Sequence, residues 1–117
     1  MRHRNKKTKF GRTKQPRELM LRNLAASVVL YEKVITTQAK GRAVKGYVEK
    51  CITIGKPGTL TARRQLRQIL PNDMAVKKII EDIAPRFRDR PGGYVRCIRL
   101  INRKGDNAPL ARVELVL

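Results

Sequence analysis

The charge imbalance of this chain constrains its fold more than any other feature of the sequence. Among 117 residues, 28 are Lys or Arg and 9 are Asp or Glu, which gives a formal net charge of +19. A compact domain with this much like charge repels itself, so we expect a polyanionic partner, most obviously nucleic acid. Because 41% of the residues are hydrophobic, a core can still form, and the length suits one domain.

The composition also argues against several classes of protein. No stretch approaches the roughly 20 apolar residues of a membrane span, and no apolar segment follows the basic N-terminus, so we expect neither a membrane anchor nor a secretory signal. Cys51 and Cys97 lie too far apart in sequence to suggest a disulfide framework or a zinc site. Aromatic residues make up 4% of the chain, so stacking of bases on aromatic side chains is not the expected main mode of binding.

The N-terminal block, residues 1–17, contains eight Lys or Arg residues and no acid. Such a block buries too little apolar surface, and repels itself too strongly, to fold alone. It is either an arm that orders on a nucleic acid or a solvated tail, and the basic character of the remaining chain favours the arm. We therefore divide the chain into a basic arm, 1–17, and a single α/β domain, 18–117.

The first half of the domain shows the periods of a helix, a strand and a second helix. Apolar residues at helical spacing from Leu21 to Val28 predict a helix over about 17–32. The β-branched run 34–37 predicts a short strand, and Thr37 can cap the helix that follows. Gly41 and Gly46 weaken that helix, and we favour simple tolerance over a close approach by a partner. Its predicted apolar face consists of Val44, Tyr47, Val48, Cys51 and Ile52.

A third helix follows a break that contains glycine and proline. Thr59 or Thr61 can cap it, and Arg63, Arg64 and Arg67 share its polar side. Membrane-surface helices show the same basic amphipathic pattern, but this helix is short and has no large aromatic anchor. Its apolar side consists of Ala62, Leu66 and Ile69.

Asn72 or Asp73 can cap a fourth helix, which we expect to end before Pro85 because the residue preceding a proline disfavours helix. Its predicted core face consists of Val76, Ile79, Ile80 and Ile83. The arginine-rich loop 86–93 follows, in which Phe87 either stacks on a base or packs under the loop.

The C-terminal quarter changes to the period of β-strands. Residues 94–101 are rich in strand-forming residues, and 111–115 alternate apolar and charged side chains. Because the segment between them is rich in turn residues, we predict an antiparallel hairpin with helices on one face. The expected fold class is α+β: two α/β layers in the order helix, strand, three helices, two strands, with a basic N-terminal arm.

Candidate catalytic and metal-binding groups are scarce. His3 is the single histidine, and the nine acids are scattered, with only Glu81 and Asp82 adjacent. Adjacent residues on a helix do not face each other, so we expect these two acids to pair with Lys77 or Lys78 rather than to form a site. The sequence therefore predicts no catalytic residue, no metal site, no cofactor and no small-molecule substrate, which argues against an enzyme.

Arginine dominates the third helix and the loop after the fourth. Guanidinium groups make two parallel hydrogen bonds to phosphate, which suits recognition of the backbone and shape of a folded RNA. Charge alone does not exclude DNA as the partner, although the sequence contains no motif for sequence-specific binding to duplex DNA. The predicted RNA-binding residues are Arg2, His3, Arg4, Lys6, Lys7, Lys9, Arg12, Lys14, Arg17, Arg22, Arg63, Arg64, Arg67, Arg86, Arg88 and Arg90.

A series of short motifs runs through the chain in a fixed order. They are MRHR at 1–4, GRT at 11–13, LRNLA at 21–25, ITT at 35–37, YVEK at 47–50, AVKKIIEDIAPRF at 75–87, R-x-GGY at 90–94 and GDNAP at 105–109. In these motifs the chain resembles the bacterial large-subunit ribosomal protein L-seventeen family. By position, Arg2, His3, Arg4, Arg12 and Arg22 match the RNA-embedded segment of that family.

The resemblance implies a structural protein of the large ribosomal subunit, in the cytoplasm, that supports translation. It implies binding to large-subunit ribosomal RNA near the exit of the nascent-peptide tunnel, contacts with neighbouring ribosomal proteins, and the same order of helices and strands. From the residues alone, two alternatives stay open. One is a free protein that packages or chaperones nucleic acid, and the other is a nuclease that uses Glu81 and Asp82.

Overall fold

The computed structural model describes Phe10 and residues 13–116 of the protein. The predicted RNA-binding residues Arg2, His3, Arg4, Lys6, Lys7, Lys9 and Arg12 lie outside the described residues. The first helix begins at Lys14, three residues earlier than predicted and inside the block that we assign to the arm. It ends where Glu32 adopts a left-handed conformation, with φ of 63°, and donates its backbone N–H to the Val28 carbonyl.

The order of helices and strands confirms the predicted α+β fold. The described residues form α1 (Lys14–Tyr31), β1 (Lys33–Thr37), α2 (Gln38–Gly55), α3 (Leu60–Ile69), α4 (Asp73–Lys78), β2 (Val95–Arg99) and β3 (Leu110–Leu115). Side-chain oxygens cap three of the helices, where each accepts a backbone N–H of the first turn. Thr37 caps α2, and of the alternatives left open by the sequence, Thr59 caps α3 and Asn72 caps α4.

The helix that begins with α4 does not end before Pro85, so that prediction is wrong. It continues through a π-helical turn, Ile79–Ile83, and a last α-helical turn, Ala84–Arg86. The Ala84 N–H donates to the Ile79 carbonyl five residues earlier, and the wider turn gives the proline ring room. Pro85 then lies in the first turn of the last segment, where its missing N–H costs little.

The three strands form one antiparallel sheet in the order β1-β3-β2. The predicted hairpin of β2 and β3 is confirmed, and β1 pairs with the other edge of β3. The alternation of side chains gives the sheet two faces. The inner face, on which α2 packs, carries Val34, Thr36, Val95, Cys97, Ala111, Val113 and Leu115.

Helix α2 occupies the centre of the core. Its Val44, Val48, Cys51 and Ile52 are fully buried, and it contacts α1, α3, β2 and β3. Gly41 permits a close approach to the sheet, because a β-carbon there would lie 3.1 Å from Val113 Cγ2. A side chain at Gly41 would therefore need a small shift of its neighbours within the chain itself.

We predict opposite effects of alanine at two glycines of α2. A β-carbon at Gly55 would lie 2.6 Å from Ile79 Cγ2, so Gly55→Ala should destabilise the fold by about 1–3 kcal/mol through overpacking. Gly46 has open space around it, so Gly46→Ala should stabilise the fold by about 0.5–1 kcal/mol through helix propensity. Urea unfolding measures both free energies, and the same sign for the two variants would contradict this packing.

The fourth helix provides a second stability test. Ile79 is fully buried in the core, so Ile79→Ala should lower the free energy of unfolding by about 2–5 kcal/mol. Ile101 is 90% exposed, and Ile101→Ala serves as the control, with an expected change within about 0.5 kcal/mol. Equal unfolding midpoints for the two variants in denaturant would contradict the burial of Ile79 in the core.

Candidate nucleic-acid interface

The arginines of α3 lie together on one side of a helix whose other side is in the core. Ala62 and Leu66 are buried, which turns Arg64 and Arg67 outward, while Arg63 is half-buried. Arg67 Nε lies 3.5 Å from Asp73 Oδ1, but both side chains are mostly exposed, so this pair is weak and can give way to a phosphate. The predicted basic side of α3 is therefore a solvent-facing guanidinium surface.

The loop after the fourth helix holds two exposed arginines in a defined backbone. Arg88 and Arg90 are exposed. Arg90 donates from Nε to the Gly92 carbonyl, and its own carbonyl accepts from Lys56 Nζ. These contacts tie the loop to the end of α2 and order the backbone that carries the arginines. Two exposed guanidinium groups on an ordered loop can meet phosphates with little loss of chain entropy.

Phe87 packs under this loop rather than projecting from it. Its ring is buried, and its centroid lies 5.1 Å from that of Tyr94, which is also buried. The ammonium of Lys56 lies 4.6 Å from the centroid of the Tyr94 ring, as a cation–π contact. Of the two roles that the sequence left open for Phe87, the structure therefore shows packing.

Arg86 differs from the other arginines of the loop because its donors are used inside the chain. Its guanidinium pairs with Glu32 at 2.5 Å and with Asp82 at 2.8 Å. Lys78 also reaches Glu32, at 3.1 Å, and donates to the Leu30 carbonyl. The prediction that Asp82 pairs with Lys77 or Lys78 is wrong: its partner is Arg86, one helical turn later. RNA binding by Arg86 stays a prediction.

The N-terminal half of α1 adds further positive charge. In its first turn Lys14 is exposed, Arg17 is half-buried and no acid is present, and Arg22 lies half-buried later in the helix. Positive side chains at a helix N-terminus oppose the helix dipole. This arrangement is unfavourable in isolation and becomes favourable beside a phosphate.

Two kinds of functional element are absent from the described residues. Among them, no group of three or more His, Cys, Asp or Glu residues is placed to hold a metal ion. Within the same part of the chain, no helix has the length and apolar character to cross a membrane. Cys51 is buried in the core, and this burial raises the pKa of its thiol to about 11, which makes it an unreactive packing residue.

Comparison with known proteins identifies the family. The sequence model described as Ribosomal protein L17 matches residues 20–116. The chain belongs to this family. This confirms the resemblance found in the motifs. Because it is a family of ribosomal structural proteins, the membership also confirms that the chain is not an enzyme.

Three relatives, each named Large ribosomal subunit protein bL17, are similar to the chain over most of its length. The protein from Hydrogenobaculum sp. (strain Y04AAS1) is 44% identical over 117 residues, with 99% of each chain covered. The protein from Caldanaerobacter subterraneus subsp. tengcongensis is 47% identical over 108 residues, with 92% of this chain and 96% of the relative covered. The protein from Thermodesulfovibrio yellowstonii is 47% identical over 116 residues, with 99% of this chain and 87% of the relative covered.

The ion-pair cluster of Arg86 predicts a loss of stability in acid. Hydrogen bonds from Arg86 and Lys78 lower the pKa of Glu32 from about 4.5 to about 2. A carboxylate with a lowered pKa stabilises the fold above its unfolded pKa, and this stabilisation disappears as the pH falls through the folded pKa. The difference in unfolding free energy between the native chain and Glu32→Gln should therefore be constant at neutral pH and shrink between about pH 4.5 and pH 2.

Urea titrations at several pH values between 7 and 2 measure that difference. A difference that stays constant down to pH 2 would show that the charge of Glu32 does not contribute to stability.

Proposed function

We propose that the chain binds the RNA of the large ribosomal subunit through the exposed arginines of α3, the loop after the fourth helix and the basic N-terminal block. Membership of the family makes the chain a structural protein of the large subunit. The observation that carries the proposal is the guanidinium surface of α3. Arg63, Arg64 and Arg67 share one side of a short, firmly packed helix.

The charge distribution supports the same surface. Several other arginines pair with acids of the chain, among them Arg86 with Glu32 and Asp82, and Arg103 with Asp106. In contrast, the structure gives no carboxylate partner to Arg63, Arg64, Arg88 or Arg90 among the described residues, and Asp73 meets Arg67 only weakly. Arginines left without carboxylates on a chain of net charge +19 are the groups that a phosphate backbone would neutralise.

The N-terminal block belongs to this proposal through its sequence. The proposed contacts there are Arg2, His3, Arg4, Lys6, Lys7, Lys9, Arg12, Lys14, Arg17 and Arg22. Eight basic residues and no acid within residues 1–17 suit a segment that lies along phosphates. We further propose a position near the exit of the nascent-peptide tunnel, which follows from the family resemblance.

The salt dependence of RNA binding tests the α3 surface. Each phosphate contact that is lost should lower the slope of log affinity against log salt by roughly 0.7–0.9. The triple variant Arg63→Ala, Arg64→Ala, Arg67→Ala should therefore lower the slope by about 2 on a large-subunit ribosomal RNA transcript. Binding weakens mainly at low salt, because the lost contacts are electrostatic.

Arg103→Ala is the control for this experiment. Arg103 is also exposed, but its guanidinium pairs with Asp106 at 2.6 Å in the turn between β2 and β3. We expect its salt slope to match that of the native chain. Thermal unfolding establishes that all variants are folded, and an unchanged slope for a folded triple variant would exclude α3 from the RNA-binding surface.

A further inference from the structure

The sheet has an outer face, turned away from α2, on which Lys33, Ile35 and Arg96 are exposed in the described part of the chain. The strand register places its side chains in rows that cross all three strands. One row consists of Ile35, Arg112 and Ile98, and a second consists of Lys33, Glu114 and Arg96. Leu110 and Leu100 continue the face beyond the first row, since the Leu100 N–H donates to the Leu110 carbonyl.

This face is too apolar for one that meets only water. The solvated face of an antiparallel sheet normally carries polar side chains. Here Ile35 is 62% exposed, and Ile98, Leu100 and Leu110 are each only partly buried. Four aliphatic side chains on one side of a three-stranded sheet form a patch of the kind that marks a binding surface.

The charges in the patch leave an excess of positive charge at its centre. Glu114 is 7% exposed and lies 3.1 Å from an Arg96 nitrogen and 3.4 Å from Arg112 Nε. Lys33 lies opposite Glu114 in the strand register, so the two rows together carry three cations and one anion. The Arg112 side chain is 38% exposed, so part of its guanidinium group can be reached from outside. A carboxylate brought by a partner would offset the excess positive charge there.

We propose that the outer face of the sheet binds a segment of a neighbouring protein in the large subunit, with aliphatic side chains on Ile35 and Ile98 and a carboxylate beside Arg112. This inference rests on the proposed function, because that function supplies the neighbour. The surface is separate from the arginines of α3, which lie on a helix that packs on α2 and α4 rather than on the sheet.

The charge and apolar character of this face favour a neighbouring protein over RNA, a second copy of the chain or the chain's own N-terminal block. RNA would gain little from the aliphatic side chains of this face. A second copy of the chain would bring another net charge of +19 to a face that is itself positive. The N-terminal block of the same chain carries no acid within residues 1–17, so it offers no carboxylate for Arg112.

Photo-cross-linking inside intact large subunits tests the proposal. The full chain, with a photo-reactive benzoylphenylalanine in place of Ile98, is expressed in cells, and the isolated subunits are irradiated. We expect an adduct with a peptide of one other large-subunit protein, and that peptide should contain aliphatic residues and an Asp or Glu.

Two lysine substitutions, made in that background, provide a matched pair. Ile35→Lys should lower the yield of the protein adduct about tenfold, as expected for loss of a central apolar contact. Leu60→Lys, at a leucine that is 63% exposed on α3, should leave the yield unchanged. Ile35→Thr, which keeps a β-branched residue in the strand, should also lower the yield and excludes unfolding as the cause.

The other outcomes overturn the proposal in distinguishable ways. An adduct with RNA, with the same chain or with a second copy, or no adduct in subunits that contain the chain, would exclude a protein neighbour on this face and leave RNA binding by α3 intact. Absence of the chain from the isolated subunits would instead overturn the proposed function, and with it this inference.

Discussion

The burial of α2 against the sheet and the other helices is the contact on which the rest of the structure depends. Its buried side chains, and the close approaches allowed by Gly41 and Gly55, bring α1, α3, the fourth helix and the sheet into one core. Each fully buried aliphatic side chain contributes about 1.5–3 kcal/mol, and this burial has to outweigh the mutual repulsion of a chain with net charge +19. Because apolar burial has to outweigh this repulsion, the core is kept for apolar side chains and the cationic groups lie at the surface.

The few acids divide the arginines into two groups. Glu32, Asp82, Glu114 and Asp106 pair with arginines at the joints of the fold: where α1 meets β1, in the fourth helix, across the sheet and in the turn before β3. The arginines of α3 and of the loop after the fourth helix receive little or no such compensation among the described residues. Because acids are scarce, a set of guanidinium groups remains available for an RNA partner. The outer face of the sheet instead offers aliphatic side chains and positive charge to a protein partner.

Much of the fold could be predicted because its signals are local. The helical period of α2, the capping residues and the alternation in β3 each depend on neighbours within a few residues, and so does the outward placement of Arg64 and Arg67. The rest depends on partners that are distant in sequence. The pairing of β1 with β3 and the contact of Arg86 with Glu32 have no local signature. The fourth helix continues through Pro85 because of a π-helical turn, which no local sequence pattern predicts. The closeness of Gly41 to Val113, 72 positions later in the numbering, likewise has no local signature.

We propose that this α+β domain and its basic surface bind one defined place in the large ribosomal subunit. Sedimentation of the purified chain with large subunits that lack it measures this most directly. We expect saturation at one copy per particle, retained through a high-salt wash, because a folded site combines many phosphate contacts with protein contacts. Binding without saturation, equal on DNA and unrelated RNA and lost at moderate salt, would contradict it and would indicate a free nucleic-acid packaging protein instead.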